Sequence, residues 1–325
     1  MVEEKNTPQN FDAHLFDCAL PHSESDLPLS EFVSAQLKMW PLAAANYHQL
    51  RKVIKRSVFF TDFKIDIQYN PARKRSTCAN LSKDAIEQRP CFLCVEHLPV
   101  EQKGVLLLEK YFLLLNPYPI FNEHFTISSV QHVPQLITNR LDDMLQLSHR
   151  LKGRTVFYNG AECGASAPDH FHFQCVPGRV LPFDIELDMM LEKNAQPLID
   201  EKNGRVVLIE SYLRECLVLE SEQAGWIVFQ FNNLLSKLPV NEHSGEPMMN
   251  ILARFEYGKY RVALFPRQKQ RPQCFYAENE DKIMISPASV EMGGVLITPR
   301  KEDFEKITKQ DIINIFEEVS YSISL

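Results

Sequence analysis

The stretch Asn159-Gly-Ala-Glu-Cys-Gly-Ala-Ser-Ala-Pro-Asp-His-Phe-His-Phe-Gln174 constrains this chain more than any other. It begins as a loop of small residues and ends as a short extended segment. Side chains on a strand alternate between its two faces. His170, His172 and Gln174 therefore share one face, and Phe171 and Phe173 share the other. The phenylalanines demand a core. The opposite face offers two imidazoles and a carboxamide to a pocket. Such a segment belongs in a sheet that is packed on one side and open to a ligand on the other.

The rest of the chain supplies that sheet. Residues 26–58 read as helix: Ser30 and Glu31 start a turn, and Phe32, Leu37 and Trp40 form an apolar stripe. Pro41 breaks it, and a second helix is expected over 42–55. Phe63, Ile65, Ile67 and Tyr69 alternate with polar residues, as in a strand. Strands are also expected at 105–108, 111–115, 125–128 and 155–158, with a helix at 141–151. Beyond residue 180 the pattern gives strands at 206–209, 217–219, 251–255, 260–265, 282–285 and 294–297. Helices are expected at 222–238, 301–307 and 309–319.

There is a faint internal echo. Residues 111–117 followed by 124–128 and His132 resemble 260–266 followed by 294–299 and Arg300. Both read strand, proline turn, strand, helix, which suggests two related α+β units side by side. After His172 the only histidine is His243, so the second unit lacks the histidine chemistry.

Composition narrows the class. The 325 residues, 45% hydrophobic and 24% charged, fit one large globular domain or two ordinary ones. A net charge of −7 argues against a nucleic-acid binder. No apolar run approaches the ~20 residues that span a bilayer, and residues 1–10 are polar, without the pattern of a signal peptide. A cytoplasmic protein without membrane partners is expected. The eight cysteines fit a reducing compartment. Cys18, Cys78, Cys163, Cys175, Cys216 and Cys274 stand singly, and only Cys91 and Cys94 form a CxxC pair.

Three groups of residues carry chemistry. A neutral imidazole attacks phosphorus with one ring nitrogen while an acceptor fixes the proton on the other. His172 fits, with the carbonyl of His170 as the acceptor and the Gln174 amide as a donor to a phosphoryl oxygen. The loop Gly164-Ala-Ser166 lets backbone N–H groups approach a phosphate. The bland alternative is a pair of half-exposed strand histidines. The Cys91–Cys94 turn can give two thiolates to one metal ion. His132 and His170 are the best further ligands, His97 and His124 are rivals, and a metal-free reduced pair is the alternative. Arg73, beside Lys74 and Arg75, can grip a phosphate bidentately or belong to a solvated turn. Arg267, Lys269 and Arg271 read as a solvated basic loop.

Together these residues resemble the histidine-triad superfamily, on the branch of galactose-1-phosphate uridylyltransferase and the dinucleoside-tetraphosphate and GDP-hexose phosphorylases. The resemblance is close over 60–180. It rests on Asn116-Pro-Tyr-Pro, His124-Phe-Thr-Ile with His132, and Gly164-Ala-Ser-Ala-Pro-Asp-His-Phe-His-Phe-Gln. It extends weakly to Ser286-Pro-Ala-Ser-Val-Glu-Met-Gly-Gly-Val-Leu-Ile-Thr-Pro299.

The resemblance implies an α+β fold: an antiparallel sheet with flanking helices in two related halves, the second degenerate. The divisions would be a helical segment at 1–60, a catalytic half at 61–185 and a degenerate half at 186–325. His172 would form a covalent nucleotidyl-histidine, and Gln174, Ser166 and Asn159 would hold phosphates. Arg73 and Gly164 would line the phosphate site. Cys91, Cys94, His132 and His170 would bind structural Zn²⁺. The chain departs from the family pattern at Asp169, an added residue between Pro168 and His170.

The expected activity is that of a nucleotidyltransferase or phosphorylase. Its substrate would be a nucleotide-sugar or dinucleoside polyphosphate, and its acceptor phosphate or a sugar phosphate. The alternatives are a hydrolase of the same type, or a zinc-stabilised nucleotide-binding protein without turnover.

Overall fold

A computed structural model describes residues 12–16, 28–77 and 83–323. Cys18, Cys78, residues 1–10 and the Arg75 side chain lie outside what is described. Two helices, Leu29–Met39 and Pro41–Gln49, lead into the strands, with Pro41 at the first turn of the second. There its missing N–H costs nothing. The second helix ends well before residue 55. β1 (Ile54–Phe59) and β2 (Lys64–Tyr69) follow as an antiparallel hairpin. The β-branched, half-exposed 54–59 segment pairs with the alternating strand after it, and that pairing overrides its helical reading.

The large sheet then builds from β3 (Gly104–Leu107), β4 (Tyr111–Leu115), β5 (Phe125–Ser129), β6 (Arg154–Asn159) and β7 (His172–Pro177). The second half adds β8 (Ala195–Glu201), β9 (Gly204–Ile209), β10 (Cys216–Ser221), β11 (Met249–Glu256) and β12 (Lys259–Pro266). β13 (Val295–Thr298) leaves this sheet and pairs in parallel with β2. Segment 282–285, expected as a strand, runs without regular structure.

The order across the large sheet is β3-β4-β5-β7-β6-β11-β12-β10-β9-β8, antiparallel throughout. Counted from its outer edge, each half runs first, second, third, fifth, fourth strand. Each half also places one helix between its third and fourth strands: Leu141–Arg150 in the first and Ala224–Leu235 in the second. The halves therefore share one topology and meet at β6 and β11, where Asn159 faces Asn250.

This corrects the register of the internal echo. β4 corresponds to β9 and β5 to β10, not to residues 260–266 and 294–299. Short apolar strands buried on both faces carry no alternation to fix such a match.

One face of the sheet packs on those two helices and on the N-terminal pair, and its core holds Phe171, Phe173, Phe32, Met144 and Phe231. Fully burying each phenylalanine contributes roughly 1.5–3 kcal/mol, which pins the orientation of β7. The other face is covered by helix Pro182–Lys193, the β1-β2-β13 sheet and helices Lys301–Lys306 and Lys309–Val319. Thr308 and Asp311 start the last helix by reciprocal capping. His172 and Gln174 lie on this second face. No helix among the described residues is long and apolar enough to cross a membrane.

Candidate active site

Four residues expected to bind metal come together. Cys91 and Cys94 sit on a turn before β3, His132 follows β5, and His170 lies just before β7 rather than on it. The Sγ of Cys91 is 3.3 Å from His170 Nδ1, and the Sγ of Cys94 is 3.2 Å from His132 Nδ1 and 3.5 Å from His170 Nδ1. The two Nδ1 atoms are 3.2 Å apart. Ligand atoms ~2.0–2.3 Å from one tetrahedral ion stand about 3.3–3.8 Å from each other, so the group fits a metal. The His170 Nε2–H donates to the Ser129 carbonyl at 2.8 Å. That bond fixes the tautomer and leaves the Nδ1 lone pair facing the thiols.

Burial pushes the Cys94 thiol up to about 12, helped by the neighbouring Cys91. A divalent cation would reverse this by favouring the thiolate. Asp169 pairs with Arg89 at 3.3 Å and stands 3.8 Å from His132 Nε2. It thereby supplies a carboxylate behind one ligand. Neither rival completes the group. His97 Nδ1 donates to the Cys91 carbonyl at 2.9 Å, and with Cys94 and Glu96 makes only a smaller, mostly exposed cluster. His124 belongs elsewhere.

His172 is buried, and its Nδ1–H donates to the His170 carbonyl at 2.9 Å. That leaves Nε2 with the lone pair. Burial pushes the ring down to about 4, against the raising effect of that carbonyl, so the imidazole is neutral at pH 7.

Gln174 takes its orientation from His124. The Ile120 N–H donates to His124 Nδ1 at 3.2 Å. His124 therefore carries its proton on Nε2 and donates it to Gln174 Oε1 at 2.8 Å. The Gln174 amide nitrogen is left to donate elsewhere. Burial, and then the charge of Arg73, push His124 down to about 3.

Asn159, at the end of β6, is held in the same fashion by the second half. Its Oδ1 accepts from Asn250 Nδ2 at 2.9 Å and from the Ser289 N–H at 2.8 Å. Its own amide N–H groups are thereby free for a ligand. Asn250 also donates to the Cys163 carbonyl and accepts from buried Arg267. Gly164 has φ +98°, and a Cβ there would lie 2.4 Å from that of Ala288. Only glycine lets the loop pack on segment 286–289. Ser166 is half-buried, and its carbonyl accepts from Arg89.

Arg73 donates to the Tyr118 carbonyl at 2.8 Å and lies within electrostatic reach of His124 and Glu291. Burial raises the Glu291 carboxyl to about 7. Arg267, read as part of a solvated loop, is instead buried at the junction of the halves. His124 in its actual role, Asn250, Ser289 and Glu291 escaped the sequence reading. Each acts across a long sequence separation and carries no local motif.

Residues 32–177 match a family model described as a domain of unknown function, DUF4922, and residues 190–324 match the GDPGP1-like C-terminal domain. Comparison with curated proteins gives no match. Among solved structures the chain is similar to yeast Ap4A phosphorylase Apa2 in complex with AMP. The TM-score is 0.52 and the identity 18%, over 86% of this chain and 94% of that one. A second structure of yeast Ap4A phosphorylase Apa2 gives a TM-score of 0.52 and 17% identity, over 85% and 96%. The chain therefore carries a GDPGP1-like C-terminal domain over residues 190–324 and shares the fold of yeast Ap4A phosphorylase.

Proposed function

We propose that the protein is a nucleotidyltransferase or phosphorylase that cleaves a nucleotide-sugar or dinucleoside polyphosphate through a nucleotidyl-His172 intermediate. The observation that carries this reading is the tautomer of His172. Nδ1–H points at a carbonyl and Nε2 carries the lone pair, so no base is needed to activate it. Nε2 attacks the α-phosphorus, the bond to the bridging oxygen breaks, and the leaving phosphate keeps the electron pair. The ring becomes cationic, and the His170 carbonyl at Nδ1–H stabilises that charge. The Gln174 and Asn159 amides, with Arg73 and the Gly164–Ser166 loop, hold phosphoryl oxygens. Inorganic phosphate or a sugar phosphate then attacks the same phosphorus, the P–N bond breaks, and Nε2 regains its lone pair.

Cys91, Cys94, His132 and His170 would hold zinc, which would supply rigidity and fix the carbonyl that orients His172. The halves 61–185 and 186–325, preceded by segment 1–60, are part of the same reading.

The test is intact-mass analysis after incubation with GDP-, ADP- and UDP-linked sugars and Ap4A. An acid-labile, NMP-sized adduct is expected in wild type and absent in His172→Ala, with turnover falling by on the order of 10⁴-fold or more. No adduct from any of these substrates overturns the reading. Product formed equally well without phosphate favours a hydrolase. Thermal stabilisation by RT ln(1 + [L]/Kd) without product favours a binding protein.

A further inference from the structure

The β6–β7 ladder stops short of the site. Its pairs run from Arg154–Pro177 to Phe157–Gln174, and the same register two residues further would set Asn159 opposite His172. At that point the side chain of Gln135 stands between the strands. Its Oε1 accepts the His172 backbone N–H at 2.8 Å. Its Nε2 donates to the His172 carbonyl and to the Asn159 carbonyl, both at 2.9 Å. A carboxamide has the donors and acceptor of a peptide group. It therefore takes the part of a backbone rung while holding the strands apart by its own width.

The wedge is itself fixed. Gln135 is fully buried, its N–H donates to the Pro168 carbonyl at 3.1 Å, and its carbonyl accepts from the Tyr158 hydroxyl at 3.0 Å. Two residues on, the Ile137 N–H donates to Glu246 at 2.8 Å, and the Glu246 carboxyl is hydrogen-bonded to the Tyr158 oxygen.

We propose that Gln135 is a positioning residue: its amide, wedged into the β6–β7 ladder, sets the separation of His172 from Asn159, so that the nucleophile and a phosphate-holding amide flank one phosphoryl group. The inference rests on the reading of His172 as the nucleophile. An interstrand rung made directly would draw the two residues together, and no rung at all would free the backbone that carries the nucleophile. Either change misplaces Nε2 while leaving the chemistry of its ring untouched.

The test uses the full chain with Gln135→Met, which keeps length but cannot hydrogen-bond. Gln135→Glu, which keeps the shape and the acceptor but loses both donors, serves if the first fails to fold. Leu145→Ala, packed on the far face of the sheet, is the stability control. Amide exchange by mass spectrometry is expected to show the His172 amide exchanging at least ~10-fold faster in Gln135→Met, with 174–177 still protected. In either wedge variant adduct formation is expected to slow by about 10- to 100-fold with KM little changed. In Leu145→Ala, brought to an equal loss of melting temperature, the rate is expected to hold.

Wild-type exchange at His172 together with a wild-type adduct rate in folded Gln135→Met overturns the proposal, as does an equal rate loss in Leu145→Ala. If wild type forms no adduct, the nucleophile reading fails. Exchange at His172 then decides the wedge by itself: faster exchange upholds it, and unchanged exchange removes it.

Discussion

His124 holds the carbonyl oxygen of Gln174, which fixes the direction in which the Gln174 amide points. The Ile120 N–H dictates which nitrogen of His124 carries the proton, so the chain Ile120–His124–Gln174 has one direction. His124→Phe keeps the ring shape and lets the Gln174 amide turn. Turnover is expected to fall by roughly 10- to 100-fold. The orphaned Ile120 N–H should also cost about 1–3 kcal/mol of stability. Steady-state kinetics beside a melting curve check both, and an unchanged kcat would remove His124 from the site. The sequence exposed His172 and Gln174 through their spacing. It left His124 as a rival metal ligand, because a histidine's spacing does not say which acceptor waits across the sheet.

At the scale of elements, the Cys91–Cys94–His132–His170 cluster brings three segments to one point: the Cys91–Cys94 turn, His132 beyond β5, and His170 at the mouth of β7. Phe171 and Phe173 are buried on one side of this segment, and a zinc ion in the cluster would brace its start on the other. Zinc at about one ion per chain is expected by elemental analysis of protein purified without chelators. Its removal, or Cys91→Ser, is expected to lower the melting temperature by roughly 5 °C or more. A metal content far below one ion per chain removes the zinc proposal and leaves His172 standing. The CxxC turn and the β7 alternation were legible because both are local patterns. The 54–59 strand and helix Pro182–Lys193 were not, because partners distant in sequence decide them.

At the scale of the molecule, the second half has no histidine on β12, where Ala263 and Phe265 fill the core instead, yet it completes the site. Asn250 and Ser289 aim Asn159, and Glu246 anchors Tyr158 and Ile137. Burial raises the Glu246 carboxyl from 4.5 to about 7. The folded state then binds a proton that the unfolded chain releases, so this group's contribution to stability falls as pH rises from about 4.5 through about 7. Glu246→Gln removes the titration. The difference in melting temperature between variant and wild type is expected to move in the variant's favour from pH 5 to pH 8, and a constant difference would contradict the buried, raised carboxyl. By itself the sequence determined the α+β class, the strand that carries His172 and Gln174, and the likeness to a family, since period-two alternation and fixed motif spacing are written into adjacent residues. Only the tertiary structure decided the direction of each amide, the wedge at Gln135 and the share of the second half in the site. Those depend on hydrogen-bond partners that folding brings across tens to more than a hundred residues, and nothing local to Asn159, His172 or Gln174 names them.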